Sequence, residues 1–229
     1  MKKGDFVKID FVGKVAATGE IFDLTNEELA KKEGIHNDKQ KYGPILIIID
    51  SGMTIPGVEK QLEEMKNGEE KEFDVKPTEA FGHRRPELLK IISIAKFFKE
   101  KINPVPGAFV TIDNKQAKIQ SISGGRVRVD FNHPLASREL HYKLKIVEAI
   151  EKPLEKVKAI IDHFTIKCET EYDEKDSKIT IKTEKKMPHV VEKLLEDWIK
   201  KWVSEIKSIN FLLKEKKKVE EKPEIKKDR

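Results

Sequence analysis

Cysteine is nearly absent. Cys168 is the only one in 229 residues, which excludes an intrachain disulfide framework and fits a reducing compartment, so a cytoplasmic location is expected. No stretch approaches the roughly 20 apolar residues of a membrane span, and mean hydropathy is −0.57; a soluble chain with no membrane partner is expected. The start, MKKGDFVKIDF, alternates apolar and polar residues where a secretory signal carries a continuous apolar core. The six histidines, His36, His83, His133, His141, His163 and His189, are scattered, and no pair has a zinc-like spacing with Cys168 to support it. Glycines never fall into a phosphate-cradling pattern after a strand. No metal and no cofactor is expected.

Charge, in contrast, is abundant. Charged residues make up 38% of the chain, mostly Lys and Glu, the bias of hyperthermophile proteins. The net charge of +5 is unevenly placed: the last sixteen residues, KEKKKVEEKPEIKKDR, carry eight basic and five acidic side chains, leaving +2 for the other 213. A nucleic-acid module clusters its basic residues on a folded face with aromatics between them. Here the excess sits in a low-complexity stretch that cannot bury a core, so a disordered tail over 214–229 is expected and a nucleic-acid partner is not.

Periodicity organises the rest. Val7, Ile9 and Phe11 alternate with polar residues, then a Thr18-Gly19 turn returns the chain through EIFD, which reads as a hairpin. Residues 24–43 are polar, with a short helix capped by Asn26. PILIIID at 44–50 is a β-branched run suited to a strand buried on both sides. In GMTIPGVEKQLEEMKNGE, Val58, Leu62 and Met65 form a single helical stripe, with Pro56 as its start signal and Gly68 as its stop. A helix this short is held by packing against something larger, and a sheet that wraps it is expected. Another strand, with Phe73 and Val75 on one face, leads to EAFG. From Arg84 a basic and apolar segment with Asp113-Asn114 and Gly124-Gly125 turns reads as a small β-module that interrupts the sheet. The sheet then resumes with Leu140, Tyr142, Leu144 and Ile146 on one face of a long strand. Beyond Lys152-Pro153 the pattern is helix, strand, strand, helix, strand, with Val191, Leu194, Leu195, Trp198 and Trp202 as the stripe of the second helix.

Taken singly, Phe11, Phe22, Ile55, Phe81 and Tyr142 fit a core better than a site. Together, IFD after a first hairpin, GMTIPGVEKQLEEMKNGE, TEAFG and VDFNHPLASRELHYKLKIVEA resemble, in order, the FK506-binding-protein (FKBP) family of peptidyl-prolyl cis-trans isomerases over roughly residues 2–151. The segment between EAFG and NHPLA is similar to the insert-in-flap domain of the SlyD-like branch, and the C-terminal extension resembles longer archaeal members. The resemblance implies an α+β fold: an antiparallel sheet curled round one short helix (1–83 and 132–152), an inserted β domain (84–131), and a C-terminal αββαβ domain (153–213).

Carried onto this sequence, the resemblance implies a pocket in which Phe11, Asp23, Ile55, Phe81 and Tyr142 act on the X-Pro bond, with Phe22, Ile47, Thr54, Val58 and Leu135 binding the substrate. Val58 stands where many members have Trp, which implies a wider floor; Phe11 and Phe81 stand where many have Tyr. The inserted domain would grip unfolded chains through Leu88, Ile91, Ile92, Phe97 and Phe98, although each of these suits the module's own core about equally well. The implied partners are unfolded or proline-containing polypeptides and, through the C-terminal domain, a second copy of the chain. A holdase with little isomerase activity and a scaffold working through the C-terminal region are the alternative functions.

Overall fold

The first element is a strand of ten residues with a largely buried face. In the computed structural model, which describes residues 1–214, β1 (Phe6–Val15) turns Val7, Ile9 and Val15 into the core. β2 (Ile21–Leu24) returns antiparallel to it, and Asn26 then caps α1 (Glu27–Lys32) by accepting from the Leu29 N–H at 2.9 Å. β3 (Ile45–Ile48) pairs with the first half of β1. α2 (Pro56–Glu64) and β4 (Glu70–Val75) follow. The chain next builds β5 (Leu89–Ser93), α3 (Ile94–Lys99), β6 (Phe109–Ile112), β7 (Lys115–Ser123) and β8 (Arg126–Asp130), and returns as β9 (Leu140–Ile150).

The first sheet has the order β2-β1-β9-β4, with β3 also on β1. Val58, Leu62 and Met65 of the α2 segment, at 1%, 0% and 1% exposure, pack on its inner face against Val7, Ile47, Val75, Leu140, Tyr142 and Leu144. That burial, not propensity, holds so short a helix. Helix α2 ends earlier than its sequence signal. It stops at Glu64, where the Met65 N–H bonds the Gln61 and Leu62 carbonyls, and Gly68, at φ +80°, instead makes the turn into β4 and donates to the Ile146 carbonyl at 3.1 Å.

The inserted sheet runs β5-β8-β7-β6, antiparallel throughout. Its two tight hairpins use residues at positive φ, Asp113 and Asn114 at 49° and 60° and Gly124 and Gly125 at 53° and 70°, the twist that two-residue turns require. One face packs on α3 to make a core of Phe97, Ile112, Ala117, Ile119, Val127 and Val129.

A separate unit begins at Ile150. It contains α4 (Pro153–His163), β10 (Glu169–Asp173), β11 (Lys178–Thr183), α5 (His189–Trp202) and β12 (Ser208–Leu213). β10 pairs antiparallel with β11, and β11 parallel with β12, so α5 is the crossover between parallel strands. Leu195 and Ile199, four apart, are the buried face of α5, whereas Leu194, placed on the stripe by its sequence pattern, is 41% exposed. The tail expected over 214–229 lies, apart from Lys214, outside the described residues.

Candidate active site

Tyr142 is the hub of an aromatic cluster on the inner side of the first sheet. Phe22 meets its ring edge-on at 5.7 Å and 78°, Phe11 is tilted against it at 6.1 Å, and Phe73 stacks on it at 5.9 Å and 14°. Cross-strand geometry sets these contacts: Phe73 and Tyr142 lie directly opposite in the β4–β9 register. Phe11 is fixed by Thr25, 4% exposed, whose hydroxyl accepts from the Phe11 N–H at 2.9 Å and donates to its carbonyl at 3.3 Å. Phe22 lies across β1 at Gly13, where a Cβ would stand 2.5 Å from Phe22 Cζ; only glycine leaves room for that ring.

Ile55 is half-buried at the N-cap of α2, with extended backbone and its carbonyl accepting from Val58 and Glu59. Its own N–H finds no acceptor among the described residues. Thr54 beside it is half-buried. Val58 and Ile47, at 1% and 3% exposure, back the floor from the core and do not form its surface. The polar rim is Asp23. Burial raises its carboxyl above the usual carboxylate range, opposed by the Leu24 N–H donating to Oδ1 at 2.9 Å. Burial, and secondarily the Asp23 charge, pushes the Tyr142 phenol up to about 12, so it is a neutral hydrogen-bonding group throughout the physiological range.

Phe81 and Leu135 form a second wall through a residue that sequence reasoning passed over. The His133 ring lies on Phe81 at 3.9 Å and 6°, and its Nδ1 accepts from the Leu135 N–H at 3.2 Å. Burial lowers the His133 pKa, which favours the neutral ring that can accept there.

Comparison with known proteins covers both folded parts of residues 1–149. A family model for FKBP-type peptidyl-prolyl cis-trans isomerases matches residues 1–95, and one for the IF domain of FKBP26 matches residues 90–135. The short-type peptidyl-prolyl cis-trans isomerase of Methanocaldococcus jannaschii is 34% identical over 146 residues, 64% of this chain and 92% of that protein. The chain belongs to the FKBP-type peptidyl-prolyl cis-trans isomerase family. Within that family it is also similar to the FKBP-type 16 kDa isomerase of Escherichia coli K12, 32% identical over 110 residues (46% of this chain and 73% of that one). SlyD of Helicobacter pylori is 34% identical over 109 residues, 45% and 58% of the two chains.

Around this FKBP-type cluster the described residues contain no group of three metal-ligating side chains, and no helix among them is long and apolar enough to cross a membrane. The arrangement is an apolar cluster of aromatic rings, with one free backbone donor on Ile55 packed against it and one half-buried carboxylate on Asp23 beside Tyr142.

In the inserted sheet, the apolar run divides by alternation. Ile91 is 69% exposed and Phe98 58%, and Leu88 is half-buried. Phe97 is 1% exposed and Ile92 pairs with Val127 on the packed face, so these two belong to the module's core and not to a client-binding surface. Phe109, at 53%, is an exposed aromatic that the reading of the apolar run missed; its alternation with the inward Val110 was the available signal.

Proposed function

We propose that the protein is a peptidyl-prolyl cis-trans isomerase and folding chaperone acting on X-Pro bonds of unfolded or partly folded polypeptides. The observation that carries this reading is the aromatic cluster around Tyr142, with Ile55 and its unpaired N–H packed against it. Rotation about the amide meets a barrier of about 18–20 kcal/mol because resonance is lost. In the twisted amide the nitrogen lone pair is no longer delocalised and the carbonyl is less polar, so dry aromatic walls bind it better than either planar form; no nucleophile is needed. The prolyl ring sits against Tyr142, Phe22 and Phe11, with Val58 and Ile47 supporting the floor from below. The Ile55 N–H donates to a substrate carbonyl next to Thr54. Asp23 faces the rotating carbonyl from the rim, and Phe81, held by His133, closes the far wall with Leu135.

Residues 84–131 serve as an inserted client-holding domain, through Ile91, Phe98 and the half-buried Leu88. The C-terminal unit supports self-association: Val190 at 79%, Leu194 at 41%, Leu212 at 50% and Leu213 at 54% expose more apolar surface than its small core requires. A cytoplasmic location fits these clients. A holdase with little isomerase activity is the second reading, favoured by the phenyl rings of Phe11 and Phe81 where many relatives have phenols.

The test is the refolding rate of a proline-limited protein, together with turnover of a short X-Pro peptide. Both are measured with the whole chain and with a variant whose residues 84–131 are replaced by a short loop. Peptide turnover retained, with refolding catalysis sharply reduced in the variant, is the expected result. No acceleration of either substrate, with aggregation still suppressed, replaces the isomerase by the holdase.

A further inference from the structure

Where the inserted sheet meets the first sheet there is a cleft of 460 Å³. Phe22, Leu135 and His133 line it on one side and Phe109 and Lys118 on the other, so Phe22 belongs both to the aromatic recess and to this cleft. The cleft opens onto the face of the inserted sheet that α3 leaves uncovered. Cross-strand register places Phe109, Lys118, Asp130 and Leu89 in one row across that face, then Ser121, Arg128 and Ile91, then Ser123, Arg126 and Ser93.

The charges on this face are one-sided. Lys118, Arg126 and Arg128 are exposed and make no ion pair with any described residue; Lys118 lies 5.6 Å from the centre of the Phe109 ring. The face's single acid is Asp130. Its side chain is only 4% exposed, is ion-paired with Arg84, and accepts from Gln120 Nε2 at 3.2 Å, Asn132 Nδ2 at 2.8 Å and the Asn132 N–H at 2.9 Å. Its charge is therefore spent inside the protein. On the opposite wall Arg138 adds a cation and Glu20 an anion, neither ion-paired among the described residues. Glu20 is thus the only acidic side chain in the cleft that is not neutralised. Apolar contacts at Phe109 and Ile91 lie between these cations.

We propose that this track selects client segments carrying acidic residues a few positions from the proline. An extended chain advances about 3.3 Å per residue. Phe22 is shared by the two, so a chain with its proline held there and its flank running through the cleft passes Leu135, Lys118 and Arg138, and farther along the face Arg128 and Arg126. The inference rests on the isomerase reading and names its substrate class.

The experiment uses the full chain and three otherwise identical X-Pro peptides extending about ten residues to each side of proline, with Glu, Gln or Lys at the third to fifth positions. Turnover is measured as kcat/KM, and binding by anisotropy of the same peptides carrying a dye. At low ionic strength the expected order is Glu above Gln above Lys, in steps of about threefold, the size of one or two exposed ion pairs. At about 1 M salt, where the screening length falls to about 3 Å, the order should collapse. Lys118→Glu combined with Arg138→Glu should reverse the Glu-to-Lys ratio, which is internal to each enzyme and independent of its overall activity. Equal binding and turnover of the three peptides at low salt, or an unchanged ratio in the double variant, overturns the proposal. If no peptide is turned over but the binding order holds, the isomerase reading fails and the charge selection stands.

Discussion

Gly13→Ala tests how the aromatic recess is built. A methyl group at residue 13 would sit 2.5, 2.9 and 3.1 Å from Phe22 Cζ, Cε2 and Cε1, well inside van der Waals contact. Gly13 is not at positive φ, so the backbone accepts alanine, and replacing glycine there removes unfolded-chain entropy worth about 0.4–1 kcal/mol of stability. Against that stands overpacking, typically about 1–3 kcal/mol, together with loss of the edge-to-face contact between Phe22 and Tyr142, about 0.5–1.5 kcal/mol. The steric terms win, for a net destabilisation of about 0.5–4 kcal/mol, which lowers Tm by roughly 2–4 °C per kcal/mol for a unit of this size. With the ring removed, the sign should reverse. In a Phe22→Ala background only the entropic gain remains, and Gly13→Ala becomes neutral or stabilising. The assay is a double-mutant cycle of thermal and denaturant unfolding with X-Pro peptide turnover in parallel. Equal effects of Gly13→Ala with and without the Phe22 ring refute the claim that this glycine exists to seat it.

Further tests follow from the other contacts. Tyr142 has a folded pKa of about 12 against an ordinary value of 10.0. Its contribution is fully present below pH 10 and is lost as pH rises to about 12; Tyr142→Phe should remove that part of the alkaline stability loss, and Asp23→Asn should lower the phenol pKa in ultraviolet titration. His133 is shifted below 6.5 by burial. Its stacking is therefore fully stabilising above 6.5 and is lost as pH falls through the lower folded value, so the Phe81 ring resonances should move in step with His133 on acidification, and His133→Phe should abolish that titration. Asp130→Ala removes the acceptor of the half-buried Asn132 N–H and of one Asn132 side-chain bond, while exposed Gln120 and Arg84 can turn to water; a cost of about 1 kcal/mol is expected in unfolding of the inserted sheet. If the C-terminal unit self-associates, sedimentation at micromolar concentration should give a dimer that Val190→Lys with Leu213→Lys converts to a monomer.

Much of the local structure was legible because its signals are local. The Asn26 cap, the two tight turns of the inserted sheet and the alternation of β1, β4 and β9 each depend on residues near one another in sequence. Helix ends were less legible. Gly68 looked like the stop of α2, but the helix ends one turn earlier, where Met65 drops into the core. On α5 the stripe read from the sequence, from Val191 to Trp202, included Leu194 and passed over Ile199, because tertiary contact chooses the stripe's centre. The same holds for the apolar run of the insert: adjacent residues take opposite faces on a strand and faces about 100° apart on a helix, and nothing in the letters says that Ile91 and Phe98 are outside while Ile92 and Phe97 are inside.

By itself, the sequence determined which residue types are available: the aromatic residues with one Tyr among them in the recess, the short helix that needs a sheet, and the near-absence of cysteine and metal-ligand spacings. The tertiary structure decided what those residues do together. Phe11, Phe22, Phe73 and Tyr142 come from four separate strands and become neighbours only when β2, β1, β9 and β4 are laid side by side. His133 gains its partners only when a return loop brings it over Phe81. The cations of the inserted sheet become one face only through strand register, because a period of two gives each strand two sides and pairing alone aligns them.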